Sequence, residues 1–372
     1  MRVLYVFHSL AQWGGIERIL VDKMNYLASM HGYEVYMLTT DQGTNPLPFQ
    51  LTNGVHYKDL DIRFYQRYHF HGLGRLTKTY QLKSRFRRSL SEQLQIIKPN
   101  VIVCTTSTYI DLDVLAQIKG AIPLVVESHS ICQRTFGQGG LSRFYNDFLL
   151  RRALKKAELV VALTEQDAVD WRKYGLKTCV IPNMVQQNQD VCSDLGQPHV
   201  IFVGRFDYQK RPLTMIHIWQ KVFPNFPNWH LDIYGEGEQR QEIESLAIAL
   251  GMNIHVHRPT ANIFGCYRQS SILASTSLFE PFGLVIPEAM SCGLPIVAFD
   301  SLYGPSEIIT DGVDGFLVKN GDEKAFYDCL SRLMADKSLR QHMGLAASQT
   351  AQRYSAEYIM PQWKSLFEHI VK

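Results

Sequence analysis

The sequence predicts an α/β protein of two domains, each a parallel sheet covered by helices, on three observations. At 372 residues the chain is long for one core, since a domain usually takes about 100 to 200 residues. Short apolar runs alternate with amphipathic ones through both halves, as a sheet buried on both faces by crossover helices requires. Between the two series lies a polar, aperiodic stretch, residues 186–198, which reads as a linker.

In the first half the apolar runs are Val3 to Phe7, Val35 to Thr39, Val101 to Cys104 and Leu124 to Glu127, with helical patterns over Gly15 to Met30 and Leu112 to Ile118. Glu158 to Leu163 and Cys179 to Pro182 supply two more strands, separated by a helix that Thr164 and Glu165 begin. The second half repeats the alternation at His199 to Gly204, Trp229 to Tyr234, Ile254 to His257, Ile272 to Ser275 and Leu294 to Phe299. That is a second doubly wound, Rossmann-like domain. From Ala356 to Val371, apolar residues at Ile359, Trp363, Leu366, Phe367 and Ile370 mark a closing amphipathic helix. The expected division is 1–185, the linker 186–198, 199–355 and a terminal helix 356–372.

Composition narrows the function classes. Hydrophobic content of 46% with 20% charged residues is that of a soluble globular enzyme. A net charge of +3 gives no support for nucleic-acid binding. The seven cysteines are scattered singly without C-x-x-C, which speaks against disulfides and structural zinc. No run approaches the roughly 20 apolar residues that cross a bilayer, and the opening apolar run lacks a signal-peptide cleavage pattern. The expected location is cytoplasmic, with peripheral contact at the inner face of the membrane open to it.

The most informative stretch runs from Glu280-Pro281-Phe282-Gly283-Leu284 to Glu288 and on to Pro295. A strand pattern precedes it, Gly283 lets the backbone approach a ligand, and a short helix follows from about Leu284 to Ser291. The first N–H groups of such a helix suit a phosphate, and carboxylates flanking it accept from sugar and ribose hydroxyls. The ligand suggested is a sugar linked to a nucleoside diphosphate. The helix dipole alone also accounts for Glu288, at about 0.3–1 kcal/mol, with no ligand.

Gly204-Arg205 to Lys210 places a glycine at a strand end with a planar cation and a mobile one behind it, a pattern suited to a leaving diphosphate. A solvated basic loop accounts for the same residues. Gly14-Gly15 opens a helix after the first strand, where its backbone either approaches a phosphate or only tightens the turn. His129 stands just past a strand end, where open α/β sheets bind ligands, although a lone histidine is more often structural.

Together these motifs resemble the retaining glycosyltransferases of family 4, whose E-x7-E motif matches Glu280 and Glu288 and whose G-R-(x)4-K pattern matches Gly204 to Lys210. The resemblance runs through most of the chain. It implies the GT-B fold, two Rossmann-like domains facing across a cleft with the last helix crossing back to the first. It also implies transfer of a sugar, with retention, from a nucleotide diphosphate donor, a UDP-sugar, to a hydroxyl of a glycan or lipid-linked glycan in cell-surface polysaccharide synthesis. On this reading His129 and Glu280 serve catalysis, and Gly15, Arg205, Lys210, Gly283, Leu284 and Glu288 bind the donor. Gly235-Glu236-Gly237 is similar to the family's turn near the base, while Arg258-Pro259-Thr260 departs from its base-contacting loop.

No H-E-x-x-H zinc signature occurs, and no metal or cofactor is expected. Between Arg63 and Arg88, cations alternate with aromatic residues and acidic residues are missing. That composition suits an anionic membrane surface and equally a solvated helix face. Two other functions keep the same ligand: a sugar-nucleotide epimerase, told apart by an isomerised donor without acceptor, and a non-catalytic sugar-nucleotide sensor, which binds donor without turnover.

Overall fold

The computed structural model describes residues 1–105, 109–136, 141–187 and 192–371. Residues 188–191 of the expected linker and Lys372 of the expected terminal helix lie outside them. The chain divides into two compact units, Met1–Pro182 with Met360–Lys372, and Asn183–Ile359.

The first unit is built on seven strands: β1 (Arg2–Phe7), β2 (Glu34–Thr39), β3 (Val55–Asp59), β4 (Val101–Thr105), β5 (Leu124–Glu127), β6 (Leu159–Ala162) and β7 (Thr178–Val180). They are all parallel, in the order β3-β2-β1-β4-β5-β6-β7. The central strands carry continuous apolar runs because both faces are covered, and Val3, Leu4, Val101, Ile102, Val125 and Val126 are buried. The helix Gly15–Ser29 turns Ile19, Leu20, Met24 and Leu27 inward at helical spacing. Thr164 caps the helix Glu165–Lys173 by accepting from the Asp167 N–H at 3.3 Å.

The second unit has β8 (His199–Val203), β9 (His230–Tyr234), β10 (Ile254–His257), β11 (Ile272–Ser275), β12 (Phe279–Glu280), β13 (Ile296–Asp300), β14 (Leu302–Tyr303) and β15 (Gly315–Lys319). Six of these form a parallel sheet in the order β10-β9-β8-β11-β13-β15, and β12 pairs with β14 in a two-stranded one. Trp219 is completely buried in its core, its indole N–H donating to the Met252 carbonyl at 2.7 Å.

Several segments differ from the expectations drawn from sequence. Strand β3 was not anticipated: four of its five residues are exposed or half-buried, so an edge strand there leaves no apolar signature. Parts of 186–198 pack on the second unit, with the Ser193 N–H on the Cys292 carbonyl at 2.9 Å and its hydroxyl on the Ser270 carbonyl at 2.6 Å. The last helix runs Ala356–Ile370, and from Met360 onward it belongs to the first unit.

Candidate active site

In the second sheet β8 and β11 lie side by side, yet the chain leaves β8 toward β9 on one side and β11 toward β13 on the other. That is the topological switch point, outside whose carboxyl ends doubly wound sheets bind ligands. The loop after β8 carries Arg205 and Lys210; the segment after β11 carries Glu280, in the short strand β12.

The first loop is stiffened from within. Asp207 Oδ1 accepts from the backbone N–H of Gln209 and of Lys210, each at 3.0 Å, closing an Asx turn. Asp207 Oδ2 pairs with Arg205 Nε at 3.1 Å, and Arg205 Nη2 donates to Gln209 Oε1 at 2.8 Å. The Arg205 side chain is thereby held by its own loop while remaining 67% exposed.

The two loops are also laced together. The Leu278 N–H donates to the Gln209 carbonyl at 2.7 Å, Gln209 Nε2 to the Phe279 carbonyl at 3.2 Å, and Thr276 Oγ1 to the Arg211 carbonyl at 2.9 Å. Lys210 Nζ then bonds to Glu280 Oε1, and Ser277 Oγ donates to the same oxygen at 2.6 Å. Both side chains are largely dry, Glu280 4% and Lys210 15% exposed. A charge-assisted bond in so dry a setting is strong, and it fixes where both groups point.

Beyond Glu280 the chain turns at Gly283, whose φ of +88° is a left-handed conformation that glycine adopts without strain. Leu284 is the cap residue, and the helix itself is Val285–Ser291. Glu288 is buried in that helix, and its Oε2 accepts from the Tyr267 hydroxyl at 3.2 Å. Beside Glu280 in the β12–β14 ladder stands Tyr303, at φ +79° and ψ −87°. Such backbone strain costs a non-glycine residue about 1–3 kcal/mol and clusters at functional sites.

The glycines at 235 and 237 have a packing reason. A Cβ on Gly235 would lie 1.9 Å from the Gly204 carbonyl oxygen, and one on Gly237 would lie 2.5 Å from that of Phe206. The turn presses against the backbone that carries Arg205, and the Phe206 N–H donates to the Glu236 carbonyl at 2.8 Å.

In the first unit the switch point lies between β1 and β4. The chain leaves β1 through Gly14, a cap residue without a side chain to offer, into the helix that begins at Gly15. Glu17 folds its carboxylate over Gly14, and burial pushes its carboxyl above the usual range. The segment after β4, residues 106–108, lies outside the described residues.

At the end of β5, side chains alternate across the sheet. Glu127 and His129 fall on one side, with His129 Nε2 3.0 Å from Glu127 Oε2. Lys23, from the helix Gly15–Ser29, bonds to that same carboxylate oxygen. Burial pushes the Glu127 carboxyl up, but the Lys23 ammonium and the His129 bond outweigh it and hold it below the usual carboxylate range. Ser128 falls on the other side, 3.4 Å from Asp167 Oδ2, which also accepts from Trp171 Nε1 at 2.9 Å.

Lys210 and Glu280 are thus in direct contact, and Arg205, Gly283, Leu284 and Glu288 belong to the same unit. Gly15 and His129 belong to the other. Sequence reasoning did not single out Ser277, Asp207, Tyr267, Glu127 or Lys23. The i, i+2 spacing of Glu127 and His129 across a strand end was a usable signal; Lys23, amid Val21, Asp22 and Met24, reads as a solvated cation.

Two family profiles match this chain, one described as "Glycosyltransferase Family 4" over residues 13–189 and one as "Glycosyl transferases group 1" over residues 186–350. The chain belongs to glycosyltransferase family 4. This glycosyltransferase is 34% identical to the amylovoran biosynthesis glycosyltransferase AmsD of Erwinia amylovora, over 56% of its own length and 62% of that protein. It is 23% identical to a Campylobacter jejuni α-1,4-N-acetyl-D-galactosaminyltransferase named for a diNAcBac-PP-undecaprenol-linked glycan, over 100% of its own length and 99% of that protein. Several curated relatives are much longer than the matched region: the chain spans 30% of one and 26% of another. Among solved structures, HepE of Anabaena in complex with UDP and glucose superposes with a TM-score of 0.77 at 20% identity, covering 99% of this chain and 100% of that one. The shared fold is GT-B.

Proposed function

We propose that this glycosyltransferase moves a hexosyl group, with retention of configuration, from a UDP-sugar to a hydroxyl of a glycan or lipid-linked glycan in polysaccharide synthesis. The observation that carries the reading is the Lys210–Glu280 pair at the β8–β11 switch point, with Arg205 held in the same loop. An ammonium and a guanidinium together suit the charge that grows on a departing diphosphate, and no metal is needed in this account to meet it. UDP in the HepE structure and the undecaprenol-linked glycan in the Campylobacter enzyme's name support the donor and acceptor classes.

In the proposed step the bond from the anomeric carbon to the diphosphate oxygen breaks. The acceptor oxygen bonds to that carbon on the same face, and its proton passes to the leaving phosphate. Glu280 and Glu288 accept from sugar and ribose hydroxyls, the amides of Gly283 and Leu284 and the backbone at Gly15 meet phosphate oxygens, and His129 attends the transferred sugar. The protein contributes position and charge.

Membrane contact at the inner face, from a cytoplasmic location, is part of the proposal. Within 63–88 the structure separates two sets of residues. Arg63 pairs with Asp59 and Asp61, Lys83 with Asp113, and Phe64 and Phe86 are buried. On the surface remain Leu73, Leu76 and Tyr80, at helical spacing and 67–82% exposed, with Arg75 and Lys78 nearby in the helix Gly72–Ile97. Among the described residues no helix is long and apolar enough to cross a membrane. The test of the reaction is incubation with a panel of UDP-sugars and a polyprenyl-diphosphate glycan. An α-linked product from an α-linked donor supports the proposal; release of an isomerised donor, or no product with any donor, counts against it.

A further inference from the structure

Lys23 and Glu127 present a physical problem that the proposed reaction does not by itself explain. Their side chains are 2% and 3% exposed, and His129 beside them is 5% exposed. Burying two charges costs several kcal/mol per ion, and apolar residues of the same volume usually serve stability as well or better. The pair is nevertheless enclosed from several elements. Lys23 Nζ lies 4.0 Å from the ring centroid of Trp363 on the terminal helix and 5.8 Å from that of Tyr5 on β1. Cation–π contact with a tryptophan face is the best available aromatic partner for a desolvated ammonium.

The chemical product of this arrangement is a carboxylate kept ionised next to a histidine. Without the ammonium, burial would favour the neutral acid, which is able to donate a proton toward the ring as readily as to accept one. With it, Glu127 Oε2 is an acceptor only, and His129 Nε2 at 3.0 Å must carry the hydrogen. Nδ1 is left as the ring nitrogen without a protein partner among the described residues. This is the logic by which a second partner fixes the tautomer and orientation of a working imidazole.

We infer that Lys23, Glu127 and Trp363 are positioning residues for transfer: they hold His129 as the Nε2–H tautomer and present Nδ1 to the substrate. The inference rests on His129 serving the proposed reaction. The terminal helix thereby acquires a role in the active site of the first unit, since its tryptophan closes the enclosure around the lysine.

The test uses the full-length protein with a charge-neutral, near-isosteric pair replacement, Lys23→Met with Glu127→Gln, which removes both charges and leaves no buried ion unpaired. A purely structural pair would leave turnover unchanged in this variant if it folds. The expected result is a fall in kcat of about 10- to 100-fold, the usual effect of removing such a partner, with the donor KM unchanged. Side-chain ¹⁵N spectra of the wild-type protein are read in parallel and are expected to show His129 protonated on Nε2; protonation on Nδ1 alone would overturn the inference even if the double variant does not fold. His129→Ala separates the two levels. If it retains full transfer, the role of His129 in the reaction fails; if it loses transfer while the double variant keeps wild-type kcat, only the positioning inference fails.

Discussion

Lys210 stands on the loop that leaves β8 and Glu280 in β12, just after the neighbouring strand β11, and their side chains close into one ion pair on which Ser277 also converges. The seventy positions that separate them in sequence are irrelevant to this meeting. Sheet order brings the two loops together, and the Asx turn at Asp207 and the carbonyl bonds from Gln209 set their register.

Removing either partner strands the other in a largely dry place. Lys210→Met and Glu280→Gln are each expected to lower stability by about 1–3 kcal/mol, and the double variant by less than the sum, with a coupling of about 0.5–3 kcal/mol. Urea titration of the four proteins measures this. Strict additivity would mean that the pair contributes no mutual stabilisation.

Gly235→Ala inserts a methyl group where the Gly204 carbonyl oxygen stands 1.9 Å away. The backbone must move, at a cost of about 1–3 kcal/mol, and the loop it displaces carries Arg205. Thermal unfolding should show the loss, and donor KM should rise with it. A variant matching the wild type in both would show that the contact yields freely.

The pH dependence of stability should carry a mark from Asp167. Burial raises its carboxyl to about 6 from the ordinary 3.8, against the pull of hydrogen bonds from the Cys132 N–H, Trp171 and Ser128. A raised folded-state value means that its stabilising contribution is fully present below 3.8 and is lost as pH rises through about 6. Asparagine does not titrate, so the melting temperature of Asp167→Asn should improve relative to wild type between about pH 4 and about pH 7.5. A constant difference across that range would contradict the assignment.

Tyr267→Phe deletes one donor to the buried Glu288 carboxylate. A loss of about 1–3 kcal/mol in stability is expected from a hydrogen bond to a charged group, together with weaker nucleotide binding. Calorimetric titration with UDP against the variant checks the second effect, and unaltered affinity would detach Glu288 from the nucleotide.

Replacing Leu73 and Tyr80 by glutamate puts negative charge on the exposed stripe of the helix Gly72–Ile97. Binding to anionic vesicles should fall by at least about tenfold, because apolar insertion and attraction to the headgroups are lost together. Equal sedimentation of wild type and variant with such vesicles would leave the stripe a solvated face.

The two sheets were legible because a parallel strand buried on both faces is apolar along its run, as Val3 to Phe7 and Ile272 to Ala274 are. β3 escaped notice because an edge strand with polar side chains lacks that signal. At the site, motif spacing marked Arg205, Lys210, Glu280 and Glu288, all on the loops and the helix around one switch point. It did not mark Ser277 or Tyr267, whose roles depend on where a hydroxyl comes to rest. Lys23 was hidden for a different reason: burial of a lysine depends on Glu127 and Trp363, which lie 104 and 340 positions away and which no local pattern connects to it.

In the proposed reaction a nucleoside diphosphate binds beside the Lys210–Glu280 pair and Lys210 meets its charge. Calorimetric titration of UDP into the wild-type protein and into Lys210→Ala tests it most directly. Saturable binding to the wild type is expected, with an affinity at least about tenfold lower in the variant, corresponding to about 1.4 kcal/mol or more. Equal affinity in the two proteins, or no binding of UDP to either, would contradict it.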